Sequence, residues 1–284
     1  MSALRGETCE VARTKGGVLV VRDKASGEVM HPGTGPLVEP QTLYTSPSRL
    51  EARLREGGDP LVLFDVGLGA ASNAIAAWRI SESLSLSARP LHIVSFENDL
   101  TPLRLALHPE HASAFGFDEP SAHHAASEIL ERGRFDTPRT SWRLSLGDLV
   151  DTLPGELLRA DIVFWDPYSP KTAPHLWNAT TFARLRKVCR EGCTVHTYSA
   201  ATPTRSAMLL AGFFVGTGES TGTKGETTTA AVCGEDLAHP LGAEWLSRLS
   251  RSTSPLPSDI GSDPASRHDA LERIRALPQF TRPM

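Results

Sequence analysis

The chain has 284 residues, 40% of them hydrophobic, enough for one large core or one core with a small appendage. A net charge of −4 at pH 7 gives no global electrostatic case for nucleic acid, so any such surface would be a local patch. No apolar run approaches transmembrane length, residues 1–10 lack the apolar centre of a signal peptide, and the four cysteines form no C-x-x-C pair. A cytoplasmic protein without a membrane segment is expected.

Residues 1–58 read as an N-terminal extension. Val18–Val21 and Glu28–Met30 have the composition of short strands joined by a turn at Gly27, and HPGTGPLVEP follows, broken by glycine and proline. Glu39 and Tyr44 lie in this segment, as solvent-facing polar groups or as part of a site. Leu61–Phe64 is then a continuous apolar run, the pattern of a central parallel strand. Asp65 ends it, and Gly67 and Gly69 supply a turn with no Cβ in the way of a ligand. From Ala70 the pattern is helical, with Ala74, Ile75, Ala77 and Trp78 as the apolar stripe. Strand, glycine turn and helix form the first unit of a doubly wound α/β fold, whose crevice binds nucleotide-like ligands.

Leu91–Phe96 is a second strand ending at Glu97, where a carboxylate can accept both ribose hydroxyls. The competing role, a helix N-cap, suits Asp99 better, before Thr101-Pro102. Residues 101–139 predict two helices around FGFDEP. Their histidines, His108, His111, His123 and His124, have no acid or cysteine that completes a recognisable ligand set, so no metal is expected. Ser141–Leu146 alternates as a third strand and is followed by Gly147-Asp148. Asp148 is either an acceptor for an adenine amino group or a plain helix cap.

Asp161–Pro170, DIVFWDPYSP, predicts a buried strand ending at Asp166, with Pro167 stopping it and Tyr168 beside it. A carboxylate, a carbonyl and a ring then surround one point above the crevice, as an amine nucleophile requires. Thr180–Cys189 predicts a helix, Cys193–Thr197 a fifth strand, and Thr204–Leu210 a further helix. Phe213–Val215 and Thr227–Val232 predict a hairpin across a glycine-rich loop, on which Lys224 is an ordinary exposed lysine or a phosphate contact. Residues 59–245 are thus expected to form the Rossmann-like domain, and residues 246–284 a Ser/Pro-rich tail with one helix over Ala265–Leu277.

The ordered motifs DVGxGxxxN, an acid after strand two, GD after strand three, DPYSPK, TYSAA and AGF resemble class I S-adenosylmethionine-dependent methyltransferases. More narrowly, they resemble the methyltransferase domain of the bacterial tRNA 5-methylaminomethyl-2-thiouridine biosynthesis protein (MnmC) and its stand-alone relatives (MnmD). That family has a strand-four DGFAP or DPFSP followed by lysine and then tryptophan, matched by Asp166–Lys171 and Trp177. Its upstream pattern is matched by Met30-His31, Gly35-Pro36, Glu39 and Tyr44, and Arg205 and Lys224-x-Glu226 also fit.

The resemblance implies a Rossmann-like, mostly parallel sheet of seven strands and S-adenosyl-L-methionine as cofactor. It implies Asp65, Gly67, Gly69, Asn73, Glu97, Asp148 and Glu39 on the cofactor side, and Asp166 and Tyr168 as catalytic residues. Pro167, Lys171, Lys224, Glu226 and Tyr44 fall on the substrate side. The implied acceptor is the aminomethyl group of a tRNA wobble uridine, with oligomeric state left undefined. Ala71 replaces the family's third glycine, Gly225 its basic-loop arginine and Thr227 its methionine. The family's flavin-dependent second domain is not expected within this length. A small-molecule amine as acceptor and a cofactor-binding protein without catalysis are the alternatives. A dinucleotide oxidoreductase is disfavoured by Ser72 and the DPYSP element.

Overall fold

The computed structural model describes residues 8–31, 35–218 and 225–281. Two N-terminal strands, β1 (Cys9–Arg13) and β2 (Leu19–Asp23), form an antiparallel hairpin. Only β2 was expected. Glu28–Met30 forms no strand: Val29 makes a single bridge to Arg22, and β1 takes the pairing edge instead. A turn of π-helix, Gln41–Thr45, and helix α1 (Leu50–Arg55) lead into the core, with Tyr44, Leu50 and Leu54 fully buried.

The core alternates β3 (Leu61–Val66), α2 (Ser72–Ser83), β4 (Leu91–Glu97), α3 (Thr101–Ala106), α4 (Pro120–Arg132), β5 (Arg134–Asp136), β6 (Thr140–Leu146) and α5 (Leu149–Thr152). It continues with β7 (Ala160–Trp165), α6 (Ala179–Lys187), β8 (Cys189–Thr197), α7 (Thr202–Leu210), β9 (Phe214–Gly218) and β10 (Thr227–Ala231). Three C-terminal helices follow: α8 (Ala243–Arg251), α9 (Pro264–Arg275) and α10 (Pro278–Thr281).

The large sheet has the order β5-β6-β4-β3-β7-β8-β10-β9. β6, β4, β3, β7 and β8 are mutually parallel, and at one edge β10 pairs antiparallel with β8 and β9 antiparallel with β10. The sheet has eight strands rather than the seven expected, because β5, three residues long, pairs antiparallel with the β6 edge. Gly133 in a left-handed conformation (φ 69°) turns the chain from α4 straight into it. Every residue of β3 and of β7 is buried, which is why each carries a continuous apolar run, Leu61–Phe64 in β3 and Ile162–Trp165 in β7.

From β3 the chain moves outward through β4 to β6, then returns to β7 on the other side of β3. The strand order therefore reverses between β3 and β7, which puts a crevice at their carboxyl ends. Helices cover both faces. Ala74, Ile75, Trp78, Ala125 and Ile129 pack on one side, and Phe182, Leu185, Met208 and Leu209 on the other.

A tail starting at residue 246 falls inside α8, whose Trp245 and Leu249 are both buried. The segment beyond it packs back on the sheet edge. Ala270 and Ile274 join the second core, Trp245 stacks on Phe280, and Gln279 exchanges hydrogen bonds with both backbone groups of Val215 (2.8 and 2.6 Å). Serine and proline content misled here, because two well-placed apolar faces suffice to dock a polar helix.

Candidate active site

At the end of β3 the chain turns through Gly67 (φ 86°) and Gly69 (φ 52°). A Cβ on Gly67 would lie 2.7 Å from the Asp166 carbonyl oxygen and 2.8 Å from Pro167 Cα and N. The two strand ends thus meet backbone to backbone, an approach only glycine permits. Ala71, in place of the family's third glycine, adopts the left-handed conformation (φ 63°) and is fully buried. Its side chain packs in the core, at a conformational cost of about 1–2 kcal/mol.

Glu97 ends β4 with both oxygens engaged. Oε2 accepts from the Gly69 amide (2.9 Å), and Oε1 accepts from the amides of Asn98 (2.8 Å) and Asp99 (3.0 Å). Burial pushes this carboxyl above its usual range, while the Gly69, Asp99 and Asn98 amides pull it back. Asp148 caps α5, with Oδ1 accepting from the Val150 amide (2.9 Å). Its Oδ2 lies 3.1 Å from His175 Nε2.

Asp166 ends β7, and its Oδ2 accepts from Asn73 Nδ2 (2.8 Å). Burial raises its affinity for a proton; His31, the Tyr44 hydroxyl and Asn73 act in the opposite direction. The following loop is held on three sides. Tyr198 donates to the Pro167 carbonyl (3.1 Å), and Trp177 donates to that of Tyr168 (2.7 Å). Glu28 accepts from the Ser169 amide (2.7 Å) and hydroxyl (3.0 Å) and from the Thr172 hydroxyl (2.6 Å). His31, in a left-handed conformation rare for a non-glycine residue (φ 51°), places Nδ1 3.1 Å from Glu39 Oε2.

Gly67, Gly69, Glu97, Asp148, Asp166 and His31 line one cavity of about 370 Å³, within the size range of small-molecule sites. Its acids are Glu28, Glu39, Glu97, Asp148 and Asp166, and none of the described residues lining it is lysine or arginine. Apolar walls come from Met30, Leu43, Leu68, Phe96 and Leu149, with the rings of Tyr168 and Tyr198 above. An acid-lined pocket with apolar walls favours a cationic ligand with an apolar body.

Residues 119–232 match the model of a family described as S-adenosyl-L-methionine-dependent methyltransferases. The fold and the family model are those of an S-adenosylmethionine-dependent methyltransferase. The chain is 29% identical over 230 residues to the tRNA 5-methylaminomethyl-2-thiouridine biosynthesis bifunctional protein MnmC of Methylibium petroleiphilum, covering 77% of this chain and 34% of that protein. Against the protein of the same name from Pseudomonas fluorescens it is 28% identical, over 82% of this chain and 37% of the relative. It therefore spans about a third of the length of these relatives. Among solved structures, MNMC2 from Aquifex aeolicus superposes with a TM-score of 0.74 over 96% of this chain and 87% of that one, at 23% identity.

Of the residues expected in the methyltransferase site, Gly67, Gly69, Glu97, Asp148, Glu39, Asp166, Pro167 and Tyr168 line the cavity. Asp65, Asn73 and Tyr44 do not; they are buried behind its wall. Asn73 holds Asp166, and Asp65 accepts from Ser95 (2.8 Å), which in turn accepts from Trp142 (3.0 Å). Glu226 is also away from the cavity. It pairs at 3.1 Å with the buried Arg205 and at 3.1 Å with Arg248, and Arg205 also donates to the Thr227 carbonyl at the base of the β9–β10 hairpin. Lys171 is exposed on the loop beyond Tyr168, and Lys224 lies outside the described residues.

The structure adds His31, Glu28, His175 and Tyr198. Met30-His31 matched the family pattern without a role attached. Tyr198 follows the end of β8 and could have been found by the strand-end reasoning that picked out Asp166. Nothing in the local sequence marked Glu28 or His175. The surface histidines also need correction: His108, Glu110 and His111 bring ligand atoms within 4.8 Å of one another on an exposed turn, so an acid does join two of them.

Proposed function

We propose that the chain transfers a methyl group from S-adenosyl-L-methionine to a primary amine, namely the aminomethyl group of a tRNA wobble uridine. One observation carries this reading: five carboxylates face a single cavity whose described lining has no cationic side chain other than histidine. Both ligands of such a reaction, a sulfonium and an amine, bring positive charge. The likeness to the methyltransferase portion of MnmC proteins supports the tRNA acceptor.

The residues present fit the cofactor, since Gly67 and Gly69 line a cavity whose five carboxylates would face a cationic sulfonium. Glu97 and Asp148 would hold its ribose and adenine, and the glycine turn with Glu39 its amino-acid end. When bound, the cofactor supplies an electrophilic methyl group on sulfur. Asp166 holds the acceptor amine through its N–H groups and aims the nitrogen lone pair. It also stabilises the positive charge that persists on nitrogen, with the Tyr168 ring closing the site above. Lys171 and Lys224 serve as contacts for tRNA phosphates.

The test is mass spectrometry of the wobble nucleoside after purified protein is incubated with the cofactor and tRNA carrying 5-aminomethyl-2-thiouridine. Conversion to the methylaminomethyl form is expected, and an unchanged nucleoside overturns the tRNA reading. A second reading, a small-molecule amine, is favoured by Gly225 at the family's arginine position and by the engaged Glu226. It predicts methylation of a free amine without RNA, at a rate insensitive to salt, whereas tRNA binding should weaken steeply as salt rises.

A further inference from the structure

The connection between α3 and α4 carries two histidines and an acid that take no part in the cavity wall. His108 and Pro109 follow the end of α3, and Glu110 and His111 lead into a 3₁₀ turn over Ala112–Phe115. Proline limits the freedom of the chain between the first imidazole and the acid. The turn also fixes its own backbone. The amides of His111 (2.8 Å) and Ala112 (2.9 Å) donate to the His108 carbonyl, and that of Ala114 donates to the His111 carbonyl (2.9 Å). Leu107, Ala112, Phe115 and Phe117 are buried on either side, so a solvent-facing turn stands on core anchors.

The three side chains converge on one point. One ligand atom from each of His108, Glu110 and His111 lies within 4.8 Å of the other two, and the imidazole centroids are 5.6 Å apart. Among the described residues this is the one grouping of three histidine, cysteine or acid side chains with such spacing. Ligands held about 2.0–2.2 Å from a tetrahedral zinc ion stand about 3.3–3.6 Å from one another. A triangle with 4.8 Å sides closes to that size when each atom moves inward by less than ~1 Å, a small χ rotation for an exposed side chain. Little is given up in doing so. The polar contact at these side chains among the described residues is a long one, from the Glu110 amide to His108 Nδ1 at 3.4 Å.

We infer that His108, Glu110 and His111 bind one divalent transition ion of zinc's kind, at a site separate from the cavity. Two imidazoles and a carboxylate suit zinc, whereas magnesium and calcium take oxygen ligands. Water completes the coordination, since three protein ligands leave a position open. The ion's role is structural: it ties the end of α3 to the 3₁₀ turn and so holds the Leu107 and Phe115 anchors in register. The inference goes beyond the methyl-transfer reading and stands whether or not that reading holds.

The test titrates zinc chloride into the full, reduced chain by calorimetry, with and without S-adenosylhomocysteine. One zinc per chain is expected, at an affinity that S-adenosylhomocysteine leaves unchanged and excess magnesium does not reduce. His108→Ala and His111→Ala should each weaken binding ~10²-fold or more, above the ~10–100-fold that losing a group merely hydrogen-bonded to a ligand costs. Glu110→Gln keeps the shape and one oxygen and should weaken it less, by ~10-fold. Imidazole nitrogen NMR gives a second readout, in which zinc should move the His108 and His111 signals and leave those of His123 and His124 in place. The denaturant midpoint of wild type should climb with free zinc, and that of His108→Ala should not. Circular dichroism matching wild type certifies that each variant is folded. Binding that survives both histidine variants, binding that S-adenosylhomocysteine displaces, or the lack of a saturable one-to-one phase overturns the inference.

Discussion

The two ends of the cavity are held by different means. At the Glu97 end, one carboxylate is fixed by three backbone amides, all from its own turn or from the neighbouring Gly67–Gly69 turn. At the Asp166 end, the carboxylate is set by side chains from distant segments: Asn73 at the start of α2, Tyr44 on the π-turn, and His31 next to the N-terminal hairpin. Amide cradles are rigid and indifferent to side-chain identity, and they suit a ligand whose charge does not change. A ring of titratable side chains suits a site where a proton moves.

Breaking the second end should cost the most. Asp166→Asn keeps the Asn73 contact and the shape but removes the charge, and single-turnover methylation should fall roughly 10²–10⁴-fold. Affinity for S-adenosylhomocysteine, measured by calorimetry, should stay within a few-fold. A collapse of that affinity would move Asp166 to the sulfonium end and erase the contrast.

Gly67→Ala attacks the seam between the two ends. The added Cβ would meet backbone atoms at 2.7–2.8 Å, and φ at 86° is strained for any side chain. A loss of about 2–4 kcal/mol in folding stability is expected, read as a lower denaturant midpoint. Gly69→Ala should cost less, because its Cβ would meet the flexible Met30 sulfur at 3.2 Å. At the amide-held end, Glu97→Ala leaves three amides without their acceptor and should weaken S-adenosylhomocysteine by about 1.5–3 kcal/mol. NAD should show no binding in the same experiment.

The same contrast explains what the sequence could convey. β3, β7, the glycine turn, and the acids at the strand ends are written in contiguous residues, and each was read from local pattern alone. Asp65, Asn73 and Tyr44 were expected in the site because their motif was, yet the side chains point behind the wall. A motif establishes proximity, while the pleat decides which face the strand residue Asp65 takes, and tertiary packing turns Asn73 of α2 and Tyr44 of the π-turn inward. The ion pairs of Glu226 were not foreseen for a related reason. Its partners Arg205 and Arg248 sit on two helices, and no spacing rule reports a pairing made only by tertiary packing. His31 and Glu28 were missed because the segment carrying them gains its meaning only when it folds over the ends of β3 and β7. β5 escaped notice because three residues are too few to show a period.

The smallest effect concerns Asp65, which the structure moves out of the ligand space. It is fully buried, and burial pushes its carboxyl from an ordinary 3.8 up to about 7, with Ser95 pulling it back and Asp166 and Glu97 adding to the rise. The sign follows from linkage. A carboxyl that binds its proton more tightly when folded stabilises the fold while it stays protonated. That contribution is present below the unfolded value near 3.9 and is lost as pH climbs toward 7, because the folded state then holds a proton the unfolded state has released. Asp65→Asn mimics the protonated form and keeps an acceptor for Ser95. It should leave stability almost unchanged near pH 4 and raise it by about 1–2 kcal/mol at pH 8, well under the ~4 kcal/mol that the full rise to about 7 allows. Denaturant midpoints at the two pH values measure it. An equal effect at both would mean that Asp65 is charged in the fold and that the proton is held instead by an acid of the cavity wall beside it, Asp166 or Glu97. In that case the titrating region would extend beyond the cavity, and the boundary drawn between its two ends would have to move.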